Sequence, residues 1–265
     1  MRFCNIASGS SGNCTYIGDE NTHLCVDAGL SGKRIEAGLN EIGLTTSDVT
    51  GILVTHEHTD HINGLSVIAR RFGIPVYATR GTIEAIKRMP KFSNIPDCLY
   101  HVIEADKPFT LGDFNIRPIR ISHDAAEPVA FRFDNNGKSI GVMTDLGKYD
   151  DYIIENMKDC STVMIEANHD VNMLQAGPYP YPLKRRILSD RGHLSNDACG
   201  RLLVELLGQK LENIILGHLS HENNLAELAY ETVRLEVTMS DAGYRFSDFK
   251  VLIGKRDERT ELLTV

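Results

Sequence analysis

The sequence predicts an α/β protein arranged as a four-layer αββα sandwich, two sheets packed face to face with helices outside. Hairpin-forming strands open the chain and return from Leu99 to Thr144. Alternation of strand and helix accompanies them in both halves, the pattern of sheets covered by helices. No repeat, linker or low-complexity stretch interrupts the chain, so residues 1–265 read as a single domain.

Taken in order, Arg2–Ala7, Thr15–Ile17 and Leu24–Asp27 read as strands, the last two joined by a polar Gly-Asp-Glu-Asn turn. Ser8–Asn13 between the first two is a run of small residues whose backbone amides are expected to approach a ligand. Apolar spacing predicts a helix over Gly32–Ile42, and β-branched residues predict a buried strand over Gly51–Thr55. A helix over Asn63–Phe72, the run Pro75–Ala78 and a helix over Thr82–Arg88 follow. Asn135-Asn136-Gly137 is a tight hairpin turn. The last third alternates helix Tyr152–Met157, strand Thr162–Ala167, helix Asn196–Leu207, strand Asn213–Leu216, helix Leu225–Val237 and strand Lys250–Ile253.

At 42% hydrophobic and 24% charged, a chain of 265 residues has the balance of a soluble globular protein and needs no disulfides to fold. No run approaches the ~18 uninterrupted apolar residues of a membrane helix, and Met-Arg-Phe-Cys-Asn-Ile is too polar for a secretory signal. The six cysteines are scattered with no Cys-x-x-Cys pair, which predicts reduced thiols and a cytoplasmic protein. A net charge of −8 excludes a global field that draws nucleic acid, so phosphate binding has to come from a local patch.

The chemistry concentrates at Thr55-His56-Glu57-His58-Thr59-Asp60-His61, directly after an apolar strand. Three imidazoles and a carboxylate at one strand end form a donor set for Zn, Mn or Fe. Glu57 reads equally as an orienting or a surface carboxylate.

His-x-His-x-Asp-His resembles the metallo-β-lactamase fold superfamily of hydrolases. The resemblance implies three further ligands, which match His123 after Ile119–Ser122, Asp145 after Gly141–Thr144, and His218 after Ile214–Gly217. It implies two divalent metal ions: His56, His58 and His123 on the first, Asp60, His61 and His218 on the second, and Asp145 bridging. Such a pair shares a hydroxide nucleophile and clamps the oxygens of an in-line displacement. Thr144 would orient its neighbour. His58 stands where diiron oxygen-reducing relatives carry a carboxylate, which argues against redox chemistry.

Arg191-Gly192-His193-Leu194-Ser195 opens a helix with Ser195 as its N-cap. It is similar to the His-Ser/Leu-Thr/Ser segment of phosphodiesterase members such as ribonuclease Z and PhnP-type enzymes, where the His is an acid near the leaving group. Ile165-Glu166-Ala167-Asn168-His169 resembles the ribonuclease Z His-Glu-Ala-Thr segment, which implies that Glu166 orients His193. The competing reading makes His193 a surface residue at a helix start; His169 and His221 have no assigned role. Tyr179–Arg186, with Tyr181, Lys184, Arg185 and Arg186, reads either as a nucleic-acid groove supplying stacking and phosphate contacts or as a Pro-stiffened surface loop.

Together these segments resemble the YycJ (WalJ) group of bacterial metallo-β-lactamase fold enzymes, described as 5′-to-3′ DNA exonucleases, over nearly the whole chain. The resemblance implies a metal-dependent phosphodiesterase with a DNA substrate, in which Asp60, Glu166 and His193 serve catalysis. The chain is too short for a large inserted clamp domain. The rival reading is an ester, thioester or lactone hydrolase using the same metals.

Overall fold

A computed structural model describes residues 1–265, which divide into two compact units. The first comprises residues 1–120, 125–129 and 255–265; the second comprises residues 121–124 and 130–254.

The first unit begins with β1 (Arg2–Ala7), β2 (Cys14–Gly18) and β3 (His23–Val26), an antiparallel meander. Helix α1 (Gly32–Asn40) starts at Ser31, whose side chain accepts from the Arg34 amide, and buries Ile35 and Leu39. Then come β4 (Gly51–Leu53), the single turn α2 (Thr59–Ile62), α3 (Leu65–Phe72), β5 (Val76–Thr79), α4 (Arg80–Arg88) and β6 (Tyr100–Ile103). From β3 to β6 every pairing is parallel, each made possible by an intervening crossover. The hairpin β7 (Phe109–Leu111) and β8 (Phe114–Arg120) closes this stretch.

The second unit carries β9 (Val129–Asn135) and β10 (Lys138–Met143), an antiparallel hairpin. Its turn places Asn136 at φ 49° and Gly137 at φ 78°, the left-handed pair that a two-residue hairpin loop requires. There follow α5 (Asp151–Met157), β11 (Thr162–Glu166), α6 (Val171–Ala176), α7 (Tyr181–Ile187), α8 (Asn196–Leu206), β12 (Asn213–Gly217), α9 (Ala226–Met239) and β13 (Lys250–Ile253). Strands β10 to β13 are parallel neighbours. The chain then returns to the first unit as β14 (Leu263–Thr264), which pairs with β1.

The first sheet runs β14-β1-β2-β3-β4-β5-β6, and the second contains the order β13-β12-β11-β10-β9. Both are mixed, both are flanked by helices, and no large insertion is present. No helix is long and apolar enough to cross a membrane. All six cysteines are free thiols, with only Cys98 exposed.

Two features depart from the predicted elements. The run Tyr179–Arg186 is not a loop: residues 181–187 are helical, with Pro180 at the N-cap and Pro182 in the first turn, where a missing amide donor leaves no bond unmade. The predicted helix over Asn63–Phe72 starts at Leu65, and Asn63 and Gly64 separate it from the single turn α2, for which the sequence predicted no helix.

Candidate metal centre

In the first unit the chain leaves β4 and turns through His58 into α2, which presents Asp60 and His61. The rings of His56 and His61 lie 4.1 Å apart, and those of His56 and His58 meet edge to face at 4.6 Å. Asp27, immediately after β3, organises them. Its Oδ2 accepts from His61 Nδ1 at 2.7 Å, and both its oxygens accept from the Thr55 hydroxyl, at 3.0 and 2.9 Å. With its hydrogen given to Asp27, Thr55 Oγ1 accepts from His56 Nδ1 at 3.0 Å. The carboxylate thus sets both tautomers, leaving Nε2 of His56 and of His61 as the acceptor nitrogen, the form in which a histidine can ligate a metal. Asn13 Nδ2 donates to His61 Nε2 at 3.1 Å and lies 3.5 Å from Asp60 Oδ2.

The run Ser8–Asn13 braces this arrangement. The amides of Ser8, Gly9, Gly12 and Asn13 are all taken up inside the protein, that of Asn13 by the Asp60 carbonyl at 2.8 Å. Gly29 permits this closeness: a Cβ there would lie 1.7 Å from the Asp60 carbonyl oxygen. Glu57 accepts from the Ala126 amide at 2.8 Å, tying down a loop instead of a ligand.

In the second unit the parallel strands release their residues at one sheet edge, the end where α/β proteins carry their sites. Asp145 follows β10, Glu166 ends β11 and His218 follows β12; the register pairs Met143 with Ile165 and Glu166 with Gly217. Asp145, Glu166, His193 and His218 each bring one donor atom within 4.8 Å of the others. Glu166 is fully buried and accepts four bonds. Its Oε1 takes His193 Nδ1 at 2.9 Å and His218 Nδ1 at 2.7 Å; its Oε2 takes the amides of Leu146 at 2.9 Å and Leu194 at 3.2 Å. His123 Nδ1 donates to the Gly192 carbonyl at 3.1 Å, which leaves its Nε2 as the acceptor. That nitrogen lies 3.7 Å from Asp145 Oδ1.

Charge follows this geometry. Burial alone would raise Glu166, but the facing His193 and His218 hold its carboxyl at about 2. Burial pulls His193 down, while Glu166 and then Asp145 more than offset it, leaving the imidazole above its ordinary value. Asp27 (φ 62°), Asp145 (φ 58°) and His218 (φ 55°) all adopt the left-handed conformation, which costs a residue with a Cβ on the order of 1 kcal/mol or more. Asn168 steadies the last of these by donating from Nδ2 to the His218 carbonyl at 2.9 Å.

Imidazole and carboxylate, with the anchored rings presenting Nε2 as the acceptor, suit a divalent ion such as Zn, Mn or Fe. Thr144 Oγ1 is buried without a partner. The basic cluster divides. Lys184 Nζ donates to the carbonyls of Gln175 and Gly177, both at 2.7 Å, and Arg186 is paired with Asp124. Arg185 lies 6.0 Å from the ring of Tyr181, itself 72% exposed. His169 is buried, its pKa taken down to about 4 by burial, and His221 is exposed beside Glu222. Asp27 and Asn13 were not among the sequence candidates. The signal for Asp27 was present: like Asp145, it is an acid at the end of an apolar strand.

Comparison with known proteins places this arrangement. The family model for the β-lactamase superfamily domain matches residues 22–216. Exodeoxyribonuclease WalJ of Streptococcus pneumoniae serotype 2 is 40% identical over 265 residues, covering 100% of this chain and 98% of the relative. Exodeoxyribonuclease YycJ of Bacillus anthracis is 42% identical over 233 residues, 88% of each. The crystal structure of the metallo-β-lactamase fold protein YhfI from Bacillus subtilis superposes with a TM-score of 0.70 at 17% identity, covering 98% of each chain. The chain therefore belongs to the β-lactamase superfamily, in the branch that contains WalJ and YycJ.

Proposed function

We propose that this chain is a cytoplasmic metal-dependent phosphodiesterase that degrades DNA exonucleolytically from 5′ ends. His56, His58 and His123 would hold one divalent ion, Asp60, His61 and His218 a second, and Asp145 both. This ligand assignment rests on the order of the residues along the chain, which resembles that of the family. The observation carrying the proposal is the anchoring of His56, His61, His123 and His218 through Nδ1 to acceptors fixed in the fold. Nothing in ordinary packing calls for four buried or nearly buried imidazoles to be set in the same tautomer; metal ligation does.

When bound, divalent ions activate water and neutralise charge on a phosphodiester. The chain's own contribution is positional. Glu166 fixes Nδ1 of His193, so Nε2 is the nitrogen available to give a proton to the departing sugar oxygen. Glu166 and Asp145 raise the pKa of His193 against the pull of burial, which favours the proton-bearing form. Glu166 also fixes His218, so a single carboxylate positions both the acid and a metal ligand. Tyr181, Arg185 and Arg186 are all exposed, but Arg186 is engaged by Asp124, and we assign Arg185 and Tyr181 to backbone phosphate and base contacts. Lys184 and Arg186 would reach substrate only by leaving their present partners.

The test is purified protein with Mn or Zn, offered end-labelled duplex DNA, single-stranded RNA and a thioester side by side. Progressive loss of nucleotides from 5′ ends of DNA is expected. Thioester turnover with intact DNA would assign the centre to carbonyl hydrolysis instead.

A further inference from the structure

Arg186 forks onto Asp124, with Nη2 to Oδ1 at 3.0 Å and Nε to Oδ2. The pair is not a remote surface contact. Asp124 Oδ1 lies 3.4 Å from Nε2 of His123, the nitrogen left for a metal once Nδ1 is committed to the Gly192 carbonyl. The segment that carries Arg186 is also fastened around this histidine. Arg191 donates to the His123 carbonyl from Nε at 3.2 Å and Nη2 at 3.1 Å, and Ser122 Oγ donates to the Asp190 carbonyl at 2.6 Å. Lys184, two residues before Arg186, is fixed on the end of α6. Both charges of the pair are thus held within reach of a cation at His123.

We propose that Asp124 is an auxiliary carboxylate for the ion held by His123, and that Arg186 is a positioning residue that sets how much of its negative charge the ion feels. The proposal rests on His123 being a metal ligand. At a few ångströms and partial burial, a carboxylate draws a divalent ion and a guanidinium repels it, each by an amount that shapes affinity. Removing the two members must therefore act in opposite directions. A purely structural ion pair behaves otherwise, because losing either partner loosens the same loop.

The experiment is a Zn²⁺ titration of the metal-stripped full chain against a chromophoric chelator, without substrate, on wild type, Asp124→Asn, Arg186→Ala, Arg186→Lys and His123→Ala. Thermal melting of each variant confirms the fold. Asp124→Asn is expected to weaken Zn²⁺ binding roughly 10- to 100-fold. Arg186→Ala is expected to strengthen it, and Arg186→Lys, which keeps the charge, to stay near wild type. Weakening in both Asp124→Asn and Arg186→Ala, or no change in either, would overturn the proposal while leaving His123 as a ligand. An unchanged affinity in His123→Ala would overturn the ligand assignment and the proposal with it.

Discussion

Replacing Glu166 by Gln removes one charge and almost no volume, and its consequences can be worked out from four bonds. Four N–H donors converge on the carboxylate: His193 Nδ1 and His218 Nδ1 on Oε1, the Leu146 and Leu194 amides on Oε2. A carboxamide offers one oxygen and one donating NH₂. Whichever way it turns, two of the four donors then face another donor. The backbone amides cannot change their protonation, so the amide oxygen is expected to turn toward them. Both imidazoles must then receive the NH₂ with Nδ1, moving their protons to Nε2. For His218 this blocks the nitrogen assigned to the metal; for His193 it removes the charge that raises its pKa. Bonds to a charged group are worth about 1.5–3 kcal/mol each, so losing two of them should lower stability by about 3–6 kcal/mol. Metal affinity should fall roughly 10- to 100-fold through His218. At saturating metal, DNA cleavage should still be slower by about 10²- to 10⁴-fold through His193. The assay is DNA hydrolysis followed over a metal titration, with metal content measured in parallel. Cleavage restored to within a few-fold of wild type by excess metal would refute the assignment of Glu166 to both histidines.

His193→Ala should slow DNA cleavage by about 10²- to 10⁴-fold with metal retained, yet lose little on bis-(p-nitrophenyl) phosphate, whose leaving group needs no proton. Equal losses on both substrates would make His193 a ligand or a structural residue. In the basic segment, Arg185→Ala should reduce the salt dependence of DNA binding by nearly one unit of log–log slope. Lys184→Ala should leave that slope unchanged and lower stability by about 1 kcal/mol through its two carbonyl contacts, read by denaturant unfolding. His169 is neutral when folded, with a pKa of about 4, and rises to its ordinary 6.5 on unfolding. Between those values the unfolded chain binds the extra proton, so this contribution is full above about pH 6.5 and is lost as pH falls toward 4. The loss amounts to roughly 3 kcal/mol. His169→Asn should flatten unfolding stability over that window, and an unchanged pH profile would contradict the burial argument.

How far these residues could be read in advance depended on how local their signals are. Three histidines and an acid at the end of β4 carry their own spacing, and His123, Asp145 and His218 each end an apolar run, so strand ends pointed to them. Asp27 carried the same mark but stood alone, and its work, setting tautomers through Thr55, is visible only in three dimensions. The loop Ser8–Asn13 reads as ligand-binding because small residues permit close approach; the structure spends that closeness on Asp60. Helix α7 was hidden by prolines, which break a helix interior but suit its first turn. Lys184 and Arg186 looked free because sequence shows charges and not their partners. The order of strands along the chain suggested two mixed sheets, whereas two-residue β14 carries no pattern long enough to read.

The central claim is that these histidines and carboxylates hold the metal on which DNA cleavage depends. It is tested most directly by stripping the purified protein with a chelator and restoring Mn or Zn in steps, recording bound metal and release of 5′-terminal nucleotides in the same samples. Activity should vanish with the metal and return with it, and neither should return in His61→Ala or His218→Ala. DNA cleavage that persists in protein shown to be free of metal would contradict the account.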